Sequence, residues 1–389
     1  MSPTDPTIHP ERPAAGIANS SSAAQSAPGV NVPADAQKQT VVWADGLREQ
    51  AFSAWLQSLQ SNFVLQPASL RLASADASFR RYLRIDSLHS EFAPTLIVMD
   101  APPDKEDSAP FVKVASLMQQ AGIYCPRVLD WNQGHGFMLL TDLGDHTMMQ
   151  RMDPAAPPPL EAYLQAVDTL ITWQKVSQPG VLPPYDYALL RREMDLFGQW
   201  YVTQYRQLTL DAAQTKVLDQ ALDTIIANNL SWPSVYVHRD FMPRNLMDGG
   251  RNQPLGVLDF QDAVYGPITY DIASLMRDAF ISWEEDFCLD VTVRYWQQAR
   301  KVGLPVGDDF GEFYRAVEWM GLQRHIKIAG IFARLTLRDG KPKYLADTPR
   351  FIAYIRATCG RYRELKPLLR LVESIEGITP PQAFSFGRV

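Results

Sequence analysis

The sequence predicts an α+β protein of two lobes, a small N-terminal lobe built on an antiparallel sheet and a large, mainly helical C-terminal lobe. Three observations carry that expectation. After one opening helix, five β-type runs surround a single helical pattern before Gly144. Beyond Gly144, long helical patterns dominate. They are interrupted once, by the strand-like "SVYVHRD" and a hairpin-like pair, "NLMD…LGVLDF". Runs of strands followed by runs of helices are the signature of segregated α+β layers.

Residues 1–42 are rich in Pro, Ala and Ser and poor in large apolar side chains. Such a segment cannot bury enough surface to offset the entropy of ordering it, so it is expected to be disordered. The opening helix follows in "DGLREQAFSAWLQSLQ". Asp45 suits the cap, and Leu47, Ala51, Ala54, Trp55, Leu56 and Leu59 recur at helical spacing. The β-type runs are "SLRLAS" (69–74), "FRRYLRID" (79–86), "TLIVMD" (95–100), "RVLDW" (127–131) and "FMLLTDL" (137–143), with a helix over 108–122 against their sheet. Helical patterns then cover 160–176, 186–206, 211–230, 269–282, 284–302, 309–335 and 349–374.

Composition narrows the function classes. The 389 residues are 46% hydrophobic and 21% charged, ordinary for a water-soluble globular chain with room for two lobes. A net charge of -6 offers no basic excess to neutralise phosphates, so nucleic acid is not an expected partner. Three dispersed cysteines give neither a disulfide framework nor zinc spacing, which suits a reducing cytoplasm. No apolar run is long enough to cross a bilayer, and the N-terminus lacks the basic start and apolar block of a secretory signal.

The chemistry concentrates in "YVHRDFMPRNLM", residues 236–247. Phosphoryl transfer needs a carboxylate to orient the acceptor hydroxyl and hard-oxygen ligands to hold magnesium against the phosphates. Asp240 suits the first role and Asn245 the second. Asp259, ending the apolar strand in "GVLDFQDAVYG", supplies a further ligand, because a hairpin sets the start of one strand beside the end of its partner.

H-R-D-x-x-x-x-N followed by a strand-terminal D-F resembles the catalytic and metal-binding segments of protein-kinase-like phosphotransferases. The chain looks closest to the aminoglycoside phosphotransferase superfamily. Within it, "HRDFMPRNLM", "VLDFQDAVYGPITYDIASLMRD", "LASADASFRRYLRI" and "LIVMDAPPDKED" resemble the bacterial anomeric kinases of N-acetylmuramate and N-acetylglucosamine, which act in cell-wall recycling. The resemblance covers residues 45 to 375. It implies a bilobal protein-kinase-like fold, with a nucleotide-binding lobe over 43–142 and a catalytic and acceptor-binding lobe over 143–389. It also implies ATP and Mg2+ as co-reactants and a small amino sugar as substrate. Asp240 then matches the catalytic base, and Asn245 and Asp259 match the metal ligands. His238 braces the loop from beneath, and Asp271 supports it as a helix cap.

Two departures concern the nucleotide. The turn "SADASFRRY" has no glycine, although small residues at Ser74 and Ser78 let backbone N–H groups approach an anion; an ordinary hairpin turn reads equally well. Met99 stands where such lobes carry a strand lysine, and Lys113 on the next helix is no glutamate partner for one. An arginine is the chemically reasonable substitute, since a guanidinium grips phosphate oxygens bidentately. Arg80 and Arg81 point to opposite faces, and the sequence leaves open which one meets the cleft. The adenine edge is expected against the backbone of the connector, Leu139, Thr141 and Asp142 included.

On the acceptor side, Arg324 and Lys327 share a helix face and form a basic spot suited to a carboxylate such as the lactyl group of N-acetylmuramate. A solvated basic face explains the same pattern. Gln261 and Asp262 follow Asp259 closely enough to touch substrate or the metal's surroundings. A kinase for another small hydroxylated acceptor, or a non-catalytic binding module of the same fold, are the alternatives left open.

Overall fold

The computed structural model describes residues 41–75, 80–92, 94–153, 155–249 and 254–379. The N-terminal extension to residue 40, Ser78, and residues 250–253 of the hairpin turn lie outside the described residues. The small lobe runs α1 (Gly46–Phe63), β1 (Leu65–Ala75), β2 (Arg81–Ser87), β3 (Thr95–Asp100), α2 (Ala109–Gln120), β4 (Val128–Asn132) and β5 (Phe137–Thr141). Its five strands form one antiparallel sheet in the order β1-β2-β3-β5-β4. The register of β1 shifts between Gln66 and Arg71, a stretch containing Pro67, which has no N–H to give to a ladder.

Both faces of this sheet are covered, where one covering helix was expected. Leu83, Ile85, Leu96, Val98, Phe137 and Leu139 pack on Phe52, Trp55, Leu56 and Leu59 of α1. The alternate residues Met99, Met138 and Leu140 face the other way, with Phe111, Val114 and Met118 of α2. Period-2 alternation therefore sorts each strand between two helices. Asp45 caps α1 by accepting the N–H of Leu47 at 2.9 Å. Leu47 and Ala54, assigned above to the apolar face, are exposed, and Phe52 takes the buried place.

The large lobe contains α3 (Met148–Arg151), α4 (Leu160–Lys175), α5 (Tyr187–Leu196), α6 (Ala212–Leu230), α7 (Thr269–Met276), α8 (Glu285–Lys301), α9 (Phe310–Leu337), α10 (Thr348–Arg361) and α11 (Lys366–Glu376). Two short antiparallel pairs interrupt the helices: β6 (Ser234–Val237) with β9 (Val264–Pro267), and β7 (Leu246–Met247) with β8 (Gly256–Val257). The helix α9 is the spine of this lobe, buried along most of its 28 residues.

Three expected helices end early or divide, each for a local reason. The 186–206 pattern becomes a π-helix over Phe197–Tyr205, where Gly330 of α9 presses on the backbone of Leu196 and Phe197. A Cβ at Gly330 would lie 2.4 Å from the Leu196 carbonyl carbon, so only glycine fits there. The 269–282 pattern ends at Met276, and just beyond it the Asp278 carboxylate accepts the N–H groups of Phe280 and Ile281, bonds that compete with continuing the helix. The 349–374 pattern divides at Tyr362, with Pro367 opening α11 in the first-turn position that tolerates it.

Candidate active site

The catalytic loop leaves β6 in a conformation that the chain does not adopt unaided. Arg239 has φ 78°, a left-handed value costly for a side chain branching from an L-residue. Three bonds hold it there. Asp271, expected as a helix cap, is instead the third residue of α7 and spends its carboxylate on the loop, accepting the N–H of His238 at 2.7 Å and of Arg239 at 3.0 Å. Arg324 of α9 donates to the Arg239 carbonyl at 2.6 Å. The peptide before Asp240 is thus clamped from both sides.

His238 joins this loop to the next strand. Its Nε2 lies 2.9 Å from the Leu258 carbonyl, which can only accept, so that nitrogen carries the proton. Nδ1 then accepts the Asp240 N–H at 3.3 Å. Burial holds the imidazole below its ordinary pKa, against the pull of Asp271 and Asp240, in keeping with a neutral brace.

Asn245 closes the loop by donating its amide to the Asp240 carbonyl at 2.9 Å. Its Nδ2 also lies 3.5 Å from Asp259 Oδ2. Asp259 is exposed, in a left-handed conformation with φ 60°, and Gln261 donates to its Oδ1 at 2.8 Å. An amide and a carboxylate side by side, one of them facing solvent, make a donor set that fits a magnesium ion completed by phosphate and water oxygens. Asp262 is exposed beside them, its carbonyl accepting from Arg239 at 3.4 Å.

Asp240 itself is 40% exposed, with Arg324 Nη2 4.0 Å from Oδ1. Burial alone pushes its carboxyl up, but the nearby Lys327, Arg324 and Arg239 cations outweigh burial and hold it below the usual carboxylate range. Beneath the loop, Glu193 of α5 accepts from Arg239 and from the Tyr185 hydroxyl and lies 3.0 Å from Lys327 Nζ. These cations likewise hold the Glu193 carboxyl down in spite of its burial. Arg324 and Lys327, expected as a basic spot on a helix face, are instead buried under the catalytic loop. Lys327 is paired with Glu193 and Arg324 is committed to the loop's backbone, so neither presents an open surface.

In the small lobe the two candidate arginines separate. Arg81 shares the α1 face with Asp100, to which it donates at 3.0 and 2.6 Å, and its guanidinium lies 4.2 Å over Trp43. This corrects the expectation for Arg81: its charge is used on the outer face of the sheet, away from the cleft. Arg80 is 9% exposed and pairs with Glu106 at 3.2 Å, just ahead of α2. Met99 is fully buried on the α2 side. Ser74 lies opposite Tyr82 in the β1–β2 pairing.

Leu139 is also corrected. It has strand neighbours on both sides, Val98 and Asp130, and its side chain packs toward α1. Its backbone therefore belongs to the sheet and not to a ligand. Thr141 ends the strand, bonded to the Arg127 backbone through both its N–H and its hydroxyl. Asp142 begins the connector, its carboxylate taking Arg84 at 2.6 Å, Thr95 at 2.7 Å and the Gly144 N–H at 3.0 Å. Phe260, next to Asp259, packs tilted with its ring 4.8 Å from that of Phe111 of α2 and so ties the segment after β8 to the small lobe.

The family model described as phosphotransferase enzyme family, APH, matches residues 69–306. The chain belongs to that family. An N-acetylmuramate/N-acetylglucosamine kinase of Neisseria meningitidis serogroup B is 46% identical over 334 residues, covering 85% of this chain and 96% of the relative. One of the same name from Pseudomonas aeruginosa is 44% identical, covering 85% and 98%. Among solved structures, the ADP-bound aminoglycoside phosphotransferase APH(2'')-Ib aligns with TM-score 0.51 at 15% identity, covering 78% of this chain and 97% of its own. Plasmodium vivax ethanolamine kinase aligns with TM-score 0.53 at 10% identity, covering 84% and 91%. The bilobal kinase-like fold and a phosphotransferase activity are thereby established for this APH member.

Several residues of the APH site escaped the sequence reading. Glu193 lies on a helix pattern that reads as purely amphipathic, and nothing local links it to a loop 46 residues on. Glu106 precedes its helix in a charged loop, "DKED". Arg84 shares a face of β2 with Tyr82, and its place at the connector depends on Asp142 and Asp145, far along the chain.

Proposed function

We propose that this phosphotransferase transfers the γ-phosphoryl group of ATP to the anomeric C1 hydroxyl of N-acetylmuramate and N-acetylglucosamine, as a step in cell-wall recycling. The observation that carries the reading is near full-length identity of 42–46% to kinases named for those two sugars. The arrangement around Asp240 supports it. Asp240 orients the C1 hydroxyl for in-line attack on the γ-phosphorus. As the new P–O bond forms, the bond from that phosphorus to the bridging oxygen breaks, ADP leaves, and the hydroxyl proton passes to Asp240. A carboxylate held down by three cations is a weak base. An anomeric hydroxyl, more acidic than an ordinary sugar hydroxyl, asks little of it.

Asn245 and Asp259 would hold Mg2+. When bound, it neutralises charge developing on the phosphate oxygens. Gln261 fixes Asp259, and Asp262 borders the acceptor. On the nucleotide side, Arg80 with the backbone of Ser74 and Ser78 would meet the phosphates, and the connector at Thr141 and Asp142 the adenine. Glu106 would hold Arg80 in place, as a helix glutamate holds the strand lysine in related kinases. The test is ATP-dependent turnover of N-acetylmuramate, N-acetylglucosamine, N-acetylgalactosamine and kanamycin in parallel. Turnover of the first two is expected; turnover of kanamycin alone would discard the amino-sugar reading.

A further inference from the structure

The floor beneath the catalytic loop gathers three cations, Arg239, Arg324 and Lys327, and all three act on the charge of Asp240. Arg324 is tied to the loop's main chain through the Arg239 carbonyl at 2.6 Å. Its Nη2 stops 4.0 Å from Asp240 Oδ1, short of a hydrogen bond.

The other two are drawn aside. One carboxylate oxygen of Glu193 takes both, accepting from Arg239 Nη2 and lying 3.0 Å from Lys327 Nζ. The second oxygen accepts from the Tyr185 hydroxyl. Tyr270 completes the enclosure, its hydroxyl 3.3 Å from that of Tyr185 and accepting from Lys327 at 3.3 Å. Asp271, also buried here, is already taken by the N–H groups of His238 and Arg239. Asp262 is exposed and meets Arg239 Nη1 only at 4.0 Å. A buried cation that loses its partner is costly and turns to whatever carboxylate it can reach. Without Glu193, the carboxylate left to Arg239 and Lys327 is Asp240, whose charge they already feel. Drawn down onto a buried cation, Asp240 would no longer present its lone pairs to an acceptor hydroxyl.

We propose that Glu193 is a positioning residue for phosphoryl transfer: it withdraws Arg239 and Lys327 from Asp240 and so leaves that carboxylate turned toward the acceptor. This rests on the reading of Asp240 as the group that meets the acceptor hydroxyl, and it holds whichever amino sugar is the better substrate.

The experiment measures kcat, the KM for ATP and for N-acetylmuramate, and the melting temperature of Glu193→Gln, Lys327→Met, the double variant and Glu193→Asp. Glu193→Gln is expected to lose kcat roughly 10- to 100-fold, the scale of misorienting one catalytic group, with both KM values within about threefold of native. The double variant lacks one competing cation, so its kcat should return roughly fivefold or more toward native. Glu193→Asp keeps the buried charge, but its carboxylate is drawn back by one methylene and cannot hold both cations. Its kcat should fall roughly three- to tenfold with little change in melting temperature. A residue serving stability alone would lower the melting temperature of Glu193→Gln and leave kcat as it was, which would overturn the proposal. So would a loss of kcat that removing Lys327 does not relieve. An unchanged kcat in Glu193→Asp would do the same, and it decides the matter if Glu193→Gln does not fold. Asp240→Asn separates this role from the reading beneath it. If that variant turns over normally, both fail; if it is inactive while Glu193→Gln is native-like, only the role of Glu193 falls.

Discussion

Replacing Asp271 by Asn should make the protein more stable at pH 8 and less active. Burial pushes the Asp271 carboxyl up to about 6 from the usual 3.8, although His238 and the two backbone N–H donors pull the other way. The neutral acid offers one acceptor and one donor, as the amide does. The amide variant therefore mimics the protonated protein, with the loss of one N–H bond already included. The separation between 3.8 and about 6 corresponds to about 3 kcal/mol. Its sign follows from the direction of the shift. The folded state binds the proton more tightly, so the stability it contributes is complete below pH 3.8 and is lost as pH rises through about 6. Above that, the native carboxylate carries the full cost and the variant none. Thermal unfolding should show Asp271→Asn higher by roughly 5 °C at pH 8 and nearly equal to the native protein at the acid end of the window. Turnover should fall roughly 10- to 100-fold, because one of the bonds holding Arg239 left-handed is gone and Asp240 shifts with it. A variant less stable at pH 8, or one with unchanged kcat, would refute the reasoning.

Asp240→Asn should lower kcat at least about 10²-fold, with binding of ATP analogues near native by calorimetry, since general-base assistance contributes on that scale. Asp259→Ala should abolish magnesium-dependent strengthening of nucleotide binding; persistence of that dependence would place the metal elsewhere. Arg80→Ala should raise KM for ATP roughly tenfold or more, whereas Arg81→Ala should leave that KM alone and lower the melting temperature. Two outcomes with the roles reversed would mean that the sheet faces are misassigned.

Much of this was legible because it is local. The alternation in "TLIVMD" and "FMLLTDL" marks strands, and the spacing of Asp240 and Asn245 marks a loop that the Asn245 amide closes onto the Asp240 carbonyl. The hairpin from Asn245 to Asp259 could be read because both ends lie within 15 residues of each other. What could not be read depends on distant pairing. Arg80 and Arg81 were indistinguishable until Asp100 and Glu106 took one each. Arg324 and Lys327 read as surface cations because their neutralising partners, Glu193 and Asp240, come from other parts of the chain. The division of the 186–206 pattern into α- and π-helix depends on Gly330, more than 120 residues away. Side-chain-to-backbone bonds just past a helix end, as at Asp278, compete with a periodicity that continues past them.

The central claim is the transfer of phosphate to C1 of an amino sugar. Its most direct test is phosphorus NMR of the product formed from ATP and N-acetylmuramate. Coupling between the new phosphorus and the anomeric proton is the predicted result. A phosphorus coupled instead to the C6 protons, or no sugar phosphate at all while ATP binds, would contradict it.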